Sequence, residues 1–368
     1  MKNIFFILAF LSVFRAESQI LATMNHDGID RTYNYYIPSD WTQGQQLPLL
    51  IVLHGLTQTG SGVMDITAFN AIAEDNKFIV CYPSGINNAW NANMNVSVST
   101  ADDKGFIEKL VHYFRDNFGT DPMRQYLSGF SNGGFMSHKM ACESNECFAA
   151  IATVSGNMSD TTYADCAPHY RTSVLHIHGT GDAVVPYSGG PATGVSVEAT
   201  LEKWRSFLGC TNDPTTVSMP NNNLLDLSTA DDIIYHNCSQ SALEHIRVNA
   251  GGHQWPGINT WVGGVGTVNM DFYSPQVIWD FLKTKSCPNA GLNSMTMDKF
   301  KYNSILESTF LLESDQPLKF ECWNTIGQKV FDGESNDPID VSNLKSGIYF
   351  LNLNIFNKEN CKIKLIKI

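Results

Sequence analysis

The feature that most constrains this chain is the glycine-rich segment Gly129-Phe130-Ser131-Asn132-Gly133-Gly134. It follows the short apolar run Tyr126-Leu127 and precedes residues 135–141, which have helical character. A strand, a sharp turn and a helix in this order place the serine at the tip of the turn, because the flanking glycines let the backbone fold back. The pattern predicts that Ser131 projects above a sheet, with the amides of a helix N-terminus close to its oxygen.

Apolar runs alternate with amphipathic segments along the first 287 residues. Continuous apolar runs are typical of strands buried on both faces of a parallel sheet, and apolar residues at helical spacing indicate the helices that cover it. We therefore predict an α/β fold with a doubly wound, mostly parallel sheet. The predicted strands are 31–38, 47–53, 78–82, 148–154, 173–178 and 245–248, and the predicted helices are 103–118, 197–208 and 277–282.

Three residues with catalytic side chains lie shortly after predicted strands. They are Ser131, Asp182 in a Gly-Thr-Gly turn, and His253 in a Gly-Gly loop that we expect to be flexible. The carboxyl ends of parallel strands meet at one edge of a sheet, so these side chains are expected to converge. A serine nucleophile needs a base to take its proton and an acid to orient that base. We assign Ser131 as nucleophile, Asp182 as acid and His253 as base, a triad that requires no cofactor and no metal.

The same chemistry needs donors for a developing oxyanion. We predict one at the backbone N–H of Asn132, the residue after the nucleophile, and the other at Leu56, in the loop after His54-Gly55. His54 itself is interpreted as structural. His176 and His178 form a His-x-His pair that could suggest a metal, but no third ligand is evident, and neutral hydrogen-bonded histidines are the simpler interpretation.

Three aromatic residues are candidates for substrate binding. Trp255 lies two residues after the predicted base, Tyr187 lies five after the predicted acid, and Trp90 stands in an asparagine-rich segment suited to a sugar. Aromatic side chains bury apolar or planar acyl groups well. We therefore expect Trp255, Tyr187 and Trp90 to line a pocket beside Ser131.

The N-terminus has the composition of a secretory signal peptide. Lys2 precedes an apolar run at 4–14, and Ala16-Glu17-Ser18 resembles a cleavage site. The apolar run is too short to span a bilayer, so no integral membrane segment is expected in the mature chain. A formal net charge of −12 argues against nucleic acid as a partner.

The composition changes after Cys287. Turn-forming residues at 288–294 precede short alternating segments typical of a small β-sandwich. The predicted organisation is a signal peptide at 1–18, a catalytic domain at 19–287, a linker at 288–298 and an all-β domain at 299–368.

The chain contains nine cysteines, which export would allow to form disulfides. Cys210 and Cys238 bracket the turn-rich segment 212–231, and we expect them to pair. We also expect Cys166 to pair with either Cys142 or Cys147, and Cys322 with Cys361. Cys81, in a buried strand, is expected to remain free.

Four motifs together resemble the secreted polyhydroxybutyrate-depolymerase/feruloyl-esterase family of α/β-hydrolases. They are His54-Gly55, the segment 129–134, His178-Gly179-Thr180-Gly181-Asp182 with the residues up to Tyr187, and Gly252-His253-Gln254-Trp255-Pro256-Gly257. The resemblance spans about residues 25–286 and implies the same triad of Ser131, Asp182 and His253. Many relatives carry cysteine at the position of Leu56; the backbone donor survives this change.

The tail resembles a type IX secretion C-terminal sorting domain, through residues 340–350 and the basic end 362–368. The Tyr-Pro-Asn-Pro opening common in such tails is absent. The resemblance implies recognition by the type IX secretion machinery, export through the periplasm of a Gram-negative bacterium, and a secreted or cell-surface location. A carbohydrate-binding sandwich is the alternative, and the scarcity of aromatic residues argues against it.

These observations lead to a secreted serine esterase that acts on polysaccharide-linked acyl esters, feruloyl ahead of acetyl. A polyhydroxybutyrate depolymerase is the alternative. An acetyl xylan esterase, a serine peptidase of the same fold and an inert polymer-binding module remain open. The expected substrate is an ester, and a polymeric one.

Overall fold

The chain divides into two compact units between Cys287 and Pro288. The computed structural model describes residues 19–94, 99–259 and 264–287 of the first unit. In the second it describes residues 300–302, 305–306, 309–310, 312–314, 318–325, 328–335, 339–354 and 361–367. The predicted signal peptide (1–18) and linker (288–298) lie outside the described residues.

The first unit alternates strands and helices. Its strands are β1 (Gln19–His26), β2 (Ile29–Tyr36), β3 (Leu49–Leu53), β4 (Ile79–Pro83), β5 (Gln125–Phe130), β6 (Ala150–Val154), β7 (Ser173–Gly179), β8 (Thr215–Ser218), β9 (Thr229–Tyr235) and β10 (Leu243–Asn249). Its helices are α1 (Gly60–Thr67), α2 (Phe69–Asn76), α3 (Asp103–Phe118), α4 (Asn132–Glu143), α5 (Asp160–Asp165), α6 (Val197–Leu208) and α7 (Ser274–Leu282), with a short 3₁₀ turn at Ile86–Asn88.

Over the described residues, these strands form one sheet in the order β1-β2-β4-β3-β5-β6-β7-β10-β9-β8. The central strands from β4 to β10 run parallel, while β1, β2, β8 and β9 are added at the edges in antiparallel pairs. The predicted mostly parallel α/β sheet is therefore confirmed. The strands β1, β8 and β9 were not predicted, and β8 with the start of β9 falls in the segment interpreted as turn-rich.

Both faces of the sheet are covered. Leu49, Ile51 and Leu53 of β3 belong to a core shared with α3, α4 and α6. Leu50 and Val52 belong to the opposite core, shared with α1, α2 and α7. Because successive side chains of a strand face opposite sides, a strand between two helical layers must be apolar at every position. This is the physical reason for the continuous apolar runs.

Three disulfide bonds close loops in the described part of the first unit. Cys142–Cys166 and Cys210–Cys238 confirm two predicted pairings. Cys147–Cys287 was not predicted, and it ties the loop after α4 to the last residue of the unit. Cys81 is free and buried, as predicted.

The second unit is all-β. Its strands are β11 (Phe300–Tyr302), β12 (Ile305–Leu306), β13 (Thr309–Phe310), β14 (Leu312–Ser314), β15 (Leu318–Asn324), β16 (Lys329–Ser335), β17 (Ile339–Asp340), β18 (Gly347–Asn354) and β19 (Cys361–Lys367). Within the described ranges they form a sheet in the order β12-β19-β18-β15-β16 and the pairs β11-β14 and β13-β17. The predicted β-sandwich class is confirmed.

The predicted Cys322–Cys361 disulfide is wrong. Cys322 lies on β15 and is a free, buried thiol. Cys361 lies on β19, and strand β18 runs between the two, pairing Leu351 with Cys322 and Leu353 with Cys361. Adjacent strands lie about 4.8 Å apart, so Cys322 and Cys361 are separated by about twice that distance. This exceeds the Cα separation of about 7 Å that a disulfide can bridge.

Among the described residues, no helix combines the length and the apolar character needed to cross a membrane.

Candidate active site

Ser131 occupies a strained turn between β5 and α4. Its backbone has φ 52° and ψ −119°, a conformation that residues other than glycine rarely adopt and that costs about 1–3 kcal/mol. The turn is possible because the chain packs on itself at its glycines. A Cβ on Gly129 would lie 2.1 Å from the carbonyl oxygen of Gly133, and a Cβ on Gly133 would lie 2.3 Å from that of Leu53. The Ser131 amide donates to the Val154 carbonyl at 2.9 Å, which anchors the turn to β6.

Asp182 and His253 are joined by a buried hydrogen bond. Nδ1 of His253 lies 2.8 Å from Oδ2 of Asp182. Oδ1 of Asp182 accepts from the amides of Val184 at 2.9 Å and Val185 at 2.8 Å, so both carboxylate oxygens are engaged. Burial raises the pKa of Asp182, whereas the hydrogen bond and the charge of His253 lower it more, and the net pKa lies below the usual value. Asp182 is therefore an ionised acceptor that orients the imidazole.

The loop that carries His253 is held in place. The His253 amide donates to the Val265 carbonyl at 2.7 Å, and the Val265 amide donates back at 3.0 Å. The His253 ring packs on Phe130, with ring centroids 4.8 Å apart. A strand-like pairing with Val265 thus positions the backbone of His253, and the flexibility of the Gly-Gly loop stays a prediction.

Ser131 and His253 line one cleft with a volume of about 340 Å³. Leu56 and Asn132, the predicted oxyanion residues, line it as well. Within the described part of the chain, the backbone amides of Leu56 and Asn132 have no hydrogen-bond acceptor. The structure thus brings together the predicted nucleophile, the base and two free amides, and it places Asp182 behind the base.

The remaining lining residues combine aliphatic, polar and aromatic side chains, and sequence reasoning missed them. Val184 and Val185 lie two and three residues after Asp182, and this closeness in sequence is a signal that could have identified them. The side chains of Leu56 and Val184 are 44% and 43% exposed and form an accessible part of the wall. The other described lining residues are Gly55, Thr57, Gln58, Met94, Phe130, Ala192 and Thr193.

The structure corrects the predicted substrate-binding residues. None of Trp255, Tyr187 and Trp90 is among the described residues that line the cleft. Trp255 is buried behind Phe130, stacked at 5.8 Å, and so supports the ring that supports His253. The Tyr187 hydroxyl lies 2.7 Å from Nε2 of buried His245.

Trp90 is fully buried and is hydrogen-bonded to Asn132, the residue after Ser131. Its backbone amide donates to the Asn132 side chain at 2.7 Å, and that side chain donates back to the Trp90 carbonyl at 3.2 Å. Its indole N–H donates to the His54 carbonyl at 2.9 Å. Trp90 therefore connects the two loops that carry the predicted oxyanion donors.

The histidines interpreted as structural are buried and hydrogen-bonded. The Gly85 amide donates to Nε2 of His54, and Nδ1 of His54 lies 2.7 Å from the Gly55 carbonyl oxygen. Burial lowers the pKa of His54 to about 4. His176 contacts the Thr153 hydroxyl at 2.8 Å, and His178 contacts the Val185 carbonyl at 2.9 Å.

Residues 24–261 match the model of a family described as "Putative esterase". The chain belongs to this esterase family. The esterase is 27% identical over 266 residues to feruloyl esterase B of Piromyces equi, which covers 68% of this chain and 44% of that protein. It is 27% identical over 239 residues to the bifunctional acetylxylan esterase/xylanase XynS20E of Neocallimastix patriciarum, covering 61% of this chain and 31% of that protein. The chain thus spans less than half the length of either relative.

The fold of the esterase also resembles a solved structure, an acetyl xylan esterase from Aspergillus awamori. The TM-score is 0.50 at 17% identity, with 64% of this chain and 94% of that chain covered. At this identity the likeness supports the fold alone.

Residues 306–368 of the esterase match the secretion system C-terminal sorting domain. This confirms the predicted identity of the tail. A sorting domain and three disulfide bonds together point to a secreted or cell-surface protein.

Proposed function

We propose that this esterase is a serine carboxylic ester hydrolase that works through an acyl-enzyme. The observation that carries the proposal is one cleft lined by Ser131 and His253, with His253 bonded to ionised Asp182 behind it. Nε2 of His253 takes the proton of Ser131 as the hydroxyl attacks the ester carbonyl carbon. The resulting oxyanion is stabilised by the free amides of Leu56 and Asn132, each worth roughly 3 kcal/mol of barrier.

The second half of the reaction uses the same groups. The alcohol leaves with the proton from His253, which leaves the acyl group on Ser131. A water then attacks the acyl carbon while His253 again acts as base, and the acid product and free Ser131 result. Both proton transfers are aided by the Asp182 carboxylate, which stabilises the imidazolium.

The substrates we propose are acyl esters linked to polysaccharide, feruloyl ahead of acetyl. A cleft of about 340 Å³ with mostly apolar walls suits a bulky, apolar acyl group, whereas an acetyl group would leave most of it unfilled. The names of the relatives, feruloyl esterase and acetylxylan esterase, support a polysaccharide context. The structural support for the acyl group comes from the size and the mostly apolar lining of the cleft, since Trp255, Tyr187 and Trp90 are not among its described lining residues.

One observation favours a polyhydroxybutyrate depolymerase as the second candidate. Leu224, Leu225 and Leu227 are 75%, 91% and 83% exposed on the turn between β8 and β9. This turn lies at the same sheet edge as the triad, because the end of β10 pairs with the start of β9. It is held by Asp226, which accepts from the amides of Ser228 and Met270. A fixed apolar turn at the same sheet edge as the triad suits adsorption to an insoluble polyester.

Ser131→Ala tests the chemistry. We expect hydrolysis of p-nitrophenyl acetate to fall by roughly 10⁴- to 10⁶-fold with the fold intact. Ser128→Ala is the matched control, because Ser128 is buried in β5 and its hydroxyl has no partner among the described residues. A Ser131→Ala variant that retains most of its activity would refute the assignment. Digestion of casein by the wild type would favour a peptidase, and a wild type without turnover would favour a binding module.

A product assay on feruloylated sugar, acetylated xylan and polyhydroxybutyrate granules tests the substrate. Release of ferulate at the highest kcat/KM is expected. Efficient release of 3-hydroxybutyrate, reduced by Leu225→Asn on granules but not on p-nitrophenyl acetate, would replace the first candidate with the second.

We further propose that the tail directs the esterase through the type IX machinery of a Gram-negative bacterium, and that it takes no part in catalysis. A chain ending at Asn289 retains Cys287 and its disulfide. It is expected to keep full activity on a soluble ester and to lose export in the native host. Loss of activity in this folded chain would instead give the tail a role in substrate binding.

A further inference from the structure

His178, near the end of β7, contacts the turn that carries Asp182. Its Nε2 atom lies 2.9 Å from the Val185 carbonyl oxygen and 3.5 Å from Oδ2 of Asp182. The side chain is buried, and His178 is not among the described residues that line the cleft. No step of the hydrolysis described above uses it.

The contacts of the His178 ring determine which nitrogen carries its proton. A carbonyl oxygen can only accept, so Nε2 must be the donor to Val185. Nδ1 has no hydrogen-bond partner among the described residues. Burial lowers the pKa of His178, which disfavours a second proton. His178 is thus a neutral imidazole whose Nε2–H is directed at the acid turn.

Val185 holds this turn in place through two hydrogen bonds. The Val185 amide donates to Oδ1 of Asp182 at 2.8 Å, and the Val185 carbonyl accepts from His178. The other oxygen of Asp182 receives the His253 N–H. A continuous series of hydrogen bonds therefore runs from His178 through Val185 and Asp182 to His253.

We propose that His178 is a positioning residue that fixes the Asp182 carboxylate, and through it the His253 imidazole. The proposal rests on the proposed function, in which Asp182 orients the base. Loss of the Nε2–H donor frees the Val185 carbonyl and lets the carboxylate shift. Misplacement of a catalytic group by about 1 Å can cost about 100-fold in rate, so we expect a fall in kcat of about 10- to 100-fold. KM should change by no more than about twofold, because the cleft wall is retained.

The test compares two amide side chains of different reach. In His178→Gln the amide N–H can take the place of Nε2–H, whereas in His178→Asn it is too short to reach Val185. His138→Asn is the matched control, because His138 is equally buried but bonds Trp204 and Thr153, which lie off the cleft. The readouts are kcat and KM on a soluble ester and the far-downfield proton NMR signal of the His253 N–H bonded to Asp182.

We expect His178→Asn to lower kcat and to shift or broaden this signal, and His178→Gln to restore both. His138→Asn should reduce stability and leave kcat and the signal unchanged. Equal kcat in folded His178→Asn and wild type, or an equal loss in His138→Asn, would overturn the proposal. Nitrogen NMR of the wild type that finds the His178 proton on Nδ1 would also overturn it and requires no variant to fold. If the wild type hydrolyses no ester, the proposed function fails, and the NMR comparison still decides the role of His178.

Discussion

Mild acid is expected to remove much of the stability of the first unit, because burial lowers the pKa values of five of its described histidines. Burial lowers the pKa of His54 to about 4 and the pKa values of His138 and His245 to about 3. It also lowers the pKa values of His176 and His178. All five side chains are buried within the described core.

The direction of the effect follows from the unfolded chain, where a histidine has a pKa of about 6.5. Above this pH the histidines are neutral in both states, and their full contribution to stability is present. Below it the unfolded chain binds protons that the folded chain accepts only near pH 4 or 3. Stability is therefore lost progressively as the pH falls from about 6.5 through 5.

The size of the loss can be estimated for the histidines with the lowest values. A pH of about 5 lies about 1.5 units below the pKa of a histidine in the unfolded chain, so each of these buried histidines lowers the free energy of unfolding by about 2 kcal/mol. His54, His138 and His245 together give about 6 kcal/mol, and His176 and His178 act in the same direction. Native domains are stable by about 5–15 kcal/mol, so this loss approaches the whole stability of a typical domain.

Urea unfolding between about pH 7.5 and 5 measures this loss. Tryptophan fluorescence reports mainly on the first unit, because six of the seven tryptophans precede Cys287. His138→Gln should reduce the pH slope by one proton, about 1.4 kcal/mol per pH unit. His169→Gln, at an exposed position, is the control substitution. A free energy of unfolding that stays constant from about pH 7 to 5, or an unchanged slope in His138→Gln, would refute the reasoning.

Replacing Cys147 and Cys287 with serine should cost about 5 kcal/mol in the chain-entropy model, because the disulfide closes a loop of 140 residues. Removing Cys142–Cys166, with a separation of 24, should cost about 3.5 kcal/mol. Urea unfolding of the two double variants tests this order, and the reverse order would contradict it. Trp255→Ala should lower the free energy of unfolding by about 3–5 kcal/mol and reduce kcat equally on methyl ferulate and p-nitrophenyl acetate, since Trp255 supports Phe130 rather than the acyl group. A rise in KM for methyl ferulate alone would return Trp255 to the substrate pocket.

The elements that could be predicted carry their own signals. Helix α3 was predicted with its observed ends, and both ends are encoded locally. Asp102 caps the start by accepting from the Gly105 amide, and Gly119 ends the helix at φ 64°. The edge strands β8 and β9 lack such signals, because β9 is stabilised by pairing with β10 and is only half-buried. These strands form because they pair with neighbouring strands of the sheet, whereas the turn-forming residues in the segment indicate a loop.

The site also has features that the sequence could predict and features that it could not. Convergence of Ser131 and His253 follows from strand order, since every parallel strand delivers its loop to one edge. The direction of a side chain in an irregular loop has no such rule. Trp255 lies two residues after His253 in sequence, yet it packs into the core while His253 lines the cleft. Proximity along the chain was therefore a poor guide to which aromatic residues contact substrate.

Trp90 and Trp255 hold catalytic residues in position, whereas the side chains of other residues line the cleft. Trp90 is hydrogen-bonded to Asn132, and Trp255 stacks on the ring of Phe130, which packs on His253. A change in either tryptophan would therefore alter the catalytic groups themselves. The side chains of Leu56 and Val184 line the cleft and are only half-buried, so they can change size without disturbing these contacts. Selectivity among acyl groups should therefore depend on Leu56 and Val184, while changes to Trp90 and Trp255, which are not among the described lining residues, should affect the rate for every ester alike.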